Sequence, residues 1–245
     1  ISEDPLIKAR YAFTRAQHHL ISGDLSNALT LCQGAIEAFD TGGESWRSRL
    51  ASPLLSEILR QQGRLSEATE VLEVQLSHAR ATENPSVLVP ILVGLGHCHL
   101  DLFRLGRAQE VVDEIESIGD GDRHLLHTLE CALLKGRLNN ACEHWESALD
   151  GLQTAQDIAK DTDLLMMVER IRGVIAQTLL GQKKHVEARS VAKMAWEGLQ
   201  EYENSLHLVE VSLTRMKLES NIAVSDDILR PTAHIMSDPT ALRPR

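Results

Sequence analysis

The chain has 245 residues, a formal net charge of −10, 43% hydrophobic residues and only 3% aromatic ones. That hydrophobic content excludes wholesale disorder, and the acidic excess argues against nucleic acid as a direct partner, because phosphate binding needs clustered Lys and Arg. No apolar run reaches the roughly 20 residues that cross a bilayer, so no membrane partner is expected. Scarce aromatics leave an interior of Leu, Val, Ile and Ala, which suits interlocking helices better than strands.

Asp4 and Pro5 read as the N-cap and first residue of a helix. A first helical pair fills 5–40, one helix to about Ile21 and the next from about Leu25 to Phe39, closed by Asp40-Thr41-Gly42-Gly43. The second pair spans 45–81. Pro53 falls inside its first helix and must either kink it or mark a later start capped by Ser52. The third pair, 86–119, opens with Ser86 as a cap and contains Pro90, Gly94 and Gly96. It breaks at Ile118-Gly119-Asp120-Gly121-Asp122. Two more pairs occupy 123–160 and 164–201. A further helix from about Ser205 to Glu219 lies in 203–230, a degenerate capping unit. The segment 231–245, with Pro231, Pro239 and Pro244, reads as an extended tail. The whole of 1–230 reads as one elongated domain. Because the chain begins with Ile1 and not Met, it reads as a region of something larger.

These pairs obey one ruler of 40 residues. Gly63-Arg64-Leu65-Ser66-Glu67-Ala68 echoes Gly23-Asp24-Leu25-Ser26-Asn27-Ala28, and the alanine recurs at Ala108, Ala148 and Ala188. Twelve residues before each alanine stand Ala16, Ser56, Gly96, Gly136 and Ala176, all small, as a close helix–helix approach requires. Four residues after each stand Cys32, Leu72, Val112, Leu152 and Ala192, a buried stripe. Three residues before each stand Leu25, Leu65, Leu105, Trp145 and His185, apolar in four of five.

A small residue late in helix A, a Gly-Asp/Arg-apolar turn and an alanine opening helix B resemble the tetratricopeptide (TPR) repeat family. Repeat three, Phe103-Arg104-Leu105-Gly106-Arg107-Ala108, has the glycine displaced, and Glu143–Ala148 and Lys183–Ala188 have lost it. The family's usual period is near 34 residues. A period of 40 demands longer helices or loops and is similar to the helical sensor region of maltose-activator-type regulators. The resemblance implies an all-α, right-handed α-solenoid of about five helix-turn-helix repeats plus a C-terminal capping helix.

Little in the sequence points to chemistry. The cysteines Cys32, Cys98, Cys131 and Cys142 form no CxxC pair and read as reduced thiols of a cytoplasmic or nuclear protein. His97-Cys98-His99 invites a metal reading, but residues i and i+2 of a helix point about 200° apart, so the two histidines cannot share an ion. Neither a G-x-S-x-G elbow nor a phosphate-binding glycine loop is present. No catalysis, cofactor or metal is expected.

The resemblance does imply a concave groove lined by helix A. Its positions here are Arg10, Phe13, Thr14 and Gln17 in repeat one, and Glu57, Arg60 and Gln61 in repeat two. Repeat three adds His97 and Asp101, repeat four Glu130, Arg137 and Asn140, and repeat five Arg170 and Gln177. The family's carboxylate-gripping version has Lys and Asn where this chain has Phe13, Gln17, Leu50 and Leu54, so that version is not expected. The implied function is a non-catalytic scaffold that binds a partner protein or peptide. The alternative is an effector-sensing domain, binding a small molecule, within a larger signalling ATPase or transcription regulator. On this reading, Arg60→Glu with Arg137→Glu abolishes partner binding without unfolding the array, and Ala68→Glu unfolds its own repeat.

Overall fold

The computed structural model describes residues 4–82, 84–118, 124–200 and 206–220. Among them run eleven helices and no strand: α1 (Pro5–Ile21), α2 (Leu25–Thr41), α3 (Ser45–Gln61), α4 (Leu65–Ala81), α5 (Pro85–Asp101), α6 (Leu105–Ile118), α7 (Leu125–Ala141), α8 (Trp145–Asp161), α9 (Leu165–Gly181), α10 (His185–Leu199) and α11 (Leu206–Ser220). Each helix packs on the next, and α3, α5, α7, α9 and α11 also pack side by side. The result is an α-solenoid of five hairpins with α11 laid on α9 and α10 at the end. Residues 119–123, 221–230 and the tail 231–245 lie outside the described residues.

The forty-residue ruler resolves into two equal halves. The helices α1 to α5 and α7 to α9 each have 17 residues. Three-residue connections separate them, so the six residues beyond the usual period lie in the helices and not in the loops. Each turn closes the same way: the N–H of Asp24, Arg64, Arg104, His144 or Lys184 donates to a carbonyl five residues back, at 2.8–2.9 Å. This closure needs a left-handed residue just before the donor. Gly23 (φ 75°) and Gly63 (φ 76°) supply it cheaply. In the later repeats Phe103 (φ 57°), Glu143 (φ 61°) and Lys183 (φ 63°) adopt the same conformation without being glycine. The turn outlives its glycine because packing on both sides dictates it. The displaced Gly106 lies within α6, where a side chain would meet nothing.

Pro53 does not delay α3, which starts at Ser45. Proline cannot donate to the carbonyl four residues back. Here that carbonyl belongs to Arg49, and the Ser52 hydroxyl donates to it instead, at 2.7 Å. Ser52 thus repairs the helix rather than capping it. The cap of α5 is likewise Asn84 and not Ser86: its side chain accepts from the Ser86 N–H at 3.0 Å, with Pro85 at the first helical position.

The ruler positions form the core. The five alanines are all buried, as are the five small residues ahead of them. The glycines there are forced by contact. A Cβ on Gly96 would lie 2.5 Å from Leu134, and one on Gly136 would lie 2.6 Å from Leu152. Gly94 faces Leu72 in the same way, at 2.7 Å. Apolar burial is densest from α4 onward, in two large clusters around Leu72–Leu138 and Leu129–Leu218. The first repeats hold smaller clusters built on Ala16, Cys32, Ala35 and Ile58.

Candidate partner-binding groove

The odd-numbered helices form the inner row, and one register of that row is polar in every repeat: Gln17, Glu57, His97, Arg137 and Gln177. Around the last four the solenoid curves into a recess of about 410 Å³ open to solvent, to which α3, α5, α7, α9 and α11 all contribute. Arg60, His97, Arg137, Arg170 and Gln177 line it, over a floor of Leu133, Gly173 and Val174.

Its polar groups are largely paired with one another. Arg60 is buried and forms a double hydrogen bond with Glu57 (2.8 and 2.9 Å) and a third bond with Asp101 (2.6 Å). Gln61 donates to the same Glu57 at 2.8 Å. Asp101, itself buried, accepts from Arg137 at 2.7 Å. Arg137 Nη1 lies 2.8 Å from His97 Nδ1, which must therefore be the acceptor, and Arg137 Nη2 lies 4.0 Å from Glu210 of α11. Arg170 pairs with Glu130. Burial alone would depress the Arg60 guanidinium, but Glu57 and Asp101 outweigh it and hold the pKa well above its usual value. Arg170 is likewise depressed by burial and raised on balance by Glu130, and it also feels Glu57 and Arg60 across the recess. Three arginines thus face four carboxylates, Glu57, Asp101, Glu130 and Glu210, so each of these arginines in the recess has a carboxylate partner.

Of the expected groove residues, Glu57, Arg60, Gln61, His97, Asp101 and Arg137 form one network, with Arg170 and Gln177 beside it. Asn140 turns away into the joint between α7 and α9, where it accepts from the Thr178 hydroxyl at 2.9 Å. Arg10, Phe13, Thr14 and Gln17 stand apart. Arg10, Thr14 and Gln17 are exposed, and Phe13 is half-buried against the Ala9–Phe39 cluster. Arg10 bonds Glu44 at 3.0 Å, and Arg47 shares that carboxylate at 2.6 Å while stacking on Trp46 at 4.2 Å. Trp46 and Leu50 are exposed beside them. Sequence reasoning missed Glu210, although it occupies the ruler position of Arg10 and Arg170. It also treated the Arg60→Glu, Arg137→Glu double reversal as harmless to the fold. Four carboxylates would then crowd together at 57, 60, 101 and 137, so the pair would unfold the middle of the array.

Elsewhere the chemistry is muted. Burial pushes the Cys32 thiol up to about 12, and it raises Cys98 as well, so neither is a ready nucleophile. Among the described residues no helix is long and apolar enough to cross a membrane.

Architecture and ruler together define a TPR-like α-solenoid. More narrowly, the chain belongs to the MalT-like TPR region family, whose model matches residues 2–232. No curated protein sequence matches the chain. Among solved structures, it is similar to a Rap protein complexed with Competence and Sporulation Factor (TM-score 0.62, 14% identity, covering 90% of this chain and 66% of that one). It is also similar to the apo form of RapI (0.59, 13%, 88% and 84%). A third likeness is to a kinesin light chain of Podosopora anserina with nearly identical TPR-like repeats (0.55, 17%, 82% and 97%). The chain thus spans just under two-thirds of the first Rap protein, and at these identities the likeness is one of fold.

Proposed function

We propose that this solenoid is a non-catalytic recognition module that holds a partner protein or peptide along its inner row. The observation that carries this reading is the polar register Gln17–Glu57–His97–Arg137–Gln177, continued through five repeats of the inner row and open to solvent at Gln17. A regular ladder of hydrogen-bonding groups suits an extended chain, whose backbone offers donors and acceptors at regular intervals. The Rap protein of similar fold is complexed with Competence and Sporulation Factor, which supports a bound partner here. Catalysis is disfavoured because the titratable groups of the recess are held in mutual pairs and the buried thiols are quenched.

A photo-crosslinking residue placed at Gln17 or Gln177 of the inner row, or at Val186 of the outer row, tests this in extracts of the source cells. Val186 is 83% exposed. The expected result is one shared protein adduct from both inner positions and none from the outer one. An adduct from Val186 alone overturns the proposal.

The recess, where side chains of five helices converge, favours a second reading, an effector-sensing domain. Arg170 Nε is also buried there without a hydrogen-bond partner among the described residues. A metabolite that raises the melting temperature of the native chain, but not of a Gln177→Trp variant, would support it.

A further inference from the structure

The net charge of −10 conceals a division between the two rows of helices. The inner helices α1, α3, α5, α7 and α9 carry ten Lys or Arg against four Asp or Glu, a balance of +6. The outer helices α2, α4, α6, α8 and α10 carry five against fifteen, a balance of −10. Along the inner row the excess is uneven. In α5, α7 and α9 the arginines of the recess are consumed by Asp101 and Glu130. By contrast α1 bears Lys8, Arg10 and Arg15 and no acidic residue at all, and of these Arg10, two turns from Gln17, shares its inner face, to which α3 adds Arg47 and Arg49 at the edges. Only Glu44 stands between Arg10 and Arg47.

We infer that the open inner face of α1 and α3 is the docking site for an acidic segment of the partner protein, with apolar side chains interspersed. This rests on the inner-row reading above and names where on the row, and by what chemistry, the partner is gripped. Charge complementarity selects the occupant. The outer row repels an acidic segment while the Arg10, Arg47 and Arg49 end of the inner row attracts it, a field that steers encounter toward that end. At the end of that path stand Arg10, whose side chain is 48% exposed, and the amphipathic Trp46, 47% exposed, beside Leu50. A cationic residue beside an exposed Trp is the usual make-up of an interface anchor, which buries an apolar body and pairs a charge at its edge. The face is also pre-formed. Arg47 is fixed by Glu44 on one side and by its stack on Trp46 on the other, so little ordering is required on binding.

The test uses the full chain and a fluorescein-labelled dodecapeptide alternating Glu-Glu-Leu, with a Lys-Lys-Leu counterpart and a single-stranded oligodeoxynucleotide dodecamer, read by fluorescence anisotropy. The Glu peptide is expected to bind and to weaken as salt rises from about 50 to about 300 mM. The Lys peptide should bind the inner face negligibly. Arg10→Glu and Trp46→Ala should each weaken the Glu peptide about tenfold or more, and Arg107→Glu on the outer row should not. Arg10 and Trp46 are exposed, so both variants keep the fold, which circular dichroism verifies. Indifference of the Glu peptide to Arg10→Glu, or tighter binding of the oligonucleotide, overturns the inference; any affinity of the Lys peptide for the acidic outer row should be unmoved by Arg10→Glu. If cross-linking from Gln17 captures a protein while the Glu peptide fails to bind, the inner-row reading stands and the acidic-partner inference falls. If both fail, both fall.

Discussion

The first repeat and the four that follow place equivalent residues on the same inner row and treat them in opposite ways. Gln17 is exposed, whereas His97, two ruler steps later, is buried against Arg137. Arg10 reaches out beside one carboxylate, whereas Arg170, four steps later, is enclosed with Glu130. Side-chain chemistry is not what separates them. Curvature gathers α3, α5, α7, α9 and α11 around one recess and forces their polar groups to satisfy each other, while α1 lies outside that circle and meets α3 only sparingly. A repeat protein can thus use one register as structure in its later repeats and as surface in its first.

The sharpest way to break the comparison is Asp101→Ala. It removes the carboxylate shared by Arg60 and Arg137 and leaves a buried guanidinium short of its partner, which costs about 3–5 kcal/mol. Arg10→Ala, at the exposed end, should change stability by less than about 0.5 kcal/mol. Urea denaturation of both variants decides it, and near-equal midpoints would mean that the recess is no more structural than the rim. Next in size is Gly136→Ala. The new Cβ must displace Leu152, at a cost of about 1–3 kcal/mol. Repeat one already carries Ala16 at that register, so helices α1 and α2 tolerate what α7 and α8 do not.

The turns yield a smaller effect of opposite sign. Glu143→Gly and Lys183→Gly relieve a left-handed conformation that costs an L-residue about 1–2 kcal/mol, partly offset by glycine's greater entropy when unfolded. Each should raise stability by up to about 1 kcal/mol, visible in the melting temperature. Gly63→Ala should lower it by a similar amount.

These cases show what was legible beforehand. Periodicity exposed the hairpins, the buried alanines and the close-contact glycines, because each is a local demand repeated five times. That repeats three to five keep the left-handed turn without glycine was not read from the sequence, because Phe103, Glu143 and Lys183 do not look like turn residues. The fate of the inner row was not legible. Whether Arg60 meets solvent or Asp101 depends on superhelical curvature, which sums small rotations over several repeats and leaves no mark at any one position. Ser52 repairing the helix at Pro53 was hidden for a related reason: a serine beside a proline is also how a helix start looks. Glu210 was legible through its register and was missed because the capping helix was not laid on the ruler.

The smallest effect comes from a second pair of equivalent residues. His19 and His99 share a register, and so do the residues at their helix ends, Asp24 and Arg104. In repeat one His19 Nδ1 lies 3.1 Å from the Asp24 carboxylate. In repeat three His99 is buried, and burial foremost, then the Arg104 charge, lowers its pKa, with Arg107 adding to this and Glu73 and Glu110 opposing it. The folded chain therefore binds this proton less readily than the unfolded chain. Stability is undiminished above the ordinary histidine value near 6.5 and falls as pH drops from there toward the depressed folded value, below which it levels off. Replacing Arg104 with Asp recreates the arrangement of repeat one. Arg104 is exposed and its influence is screened by salt, so the shift should be modest: the His99 ring signals should titrate at higher pH by NMR, and the loss of melting temperature between about pH 6.5 and 5.5 should shrink. If Arg104→Asp leaves both unchanged, burial alone sets the His99 titration, and the difference between the two repeats at this register is one of depth and not of charge.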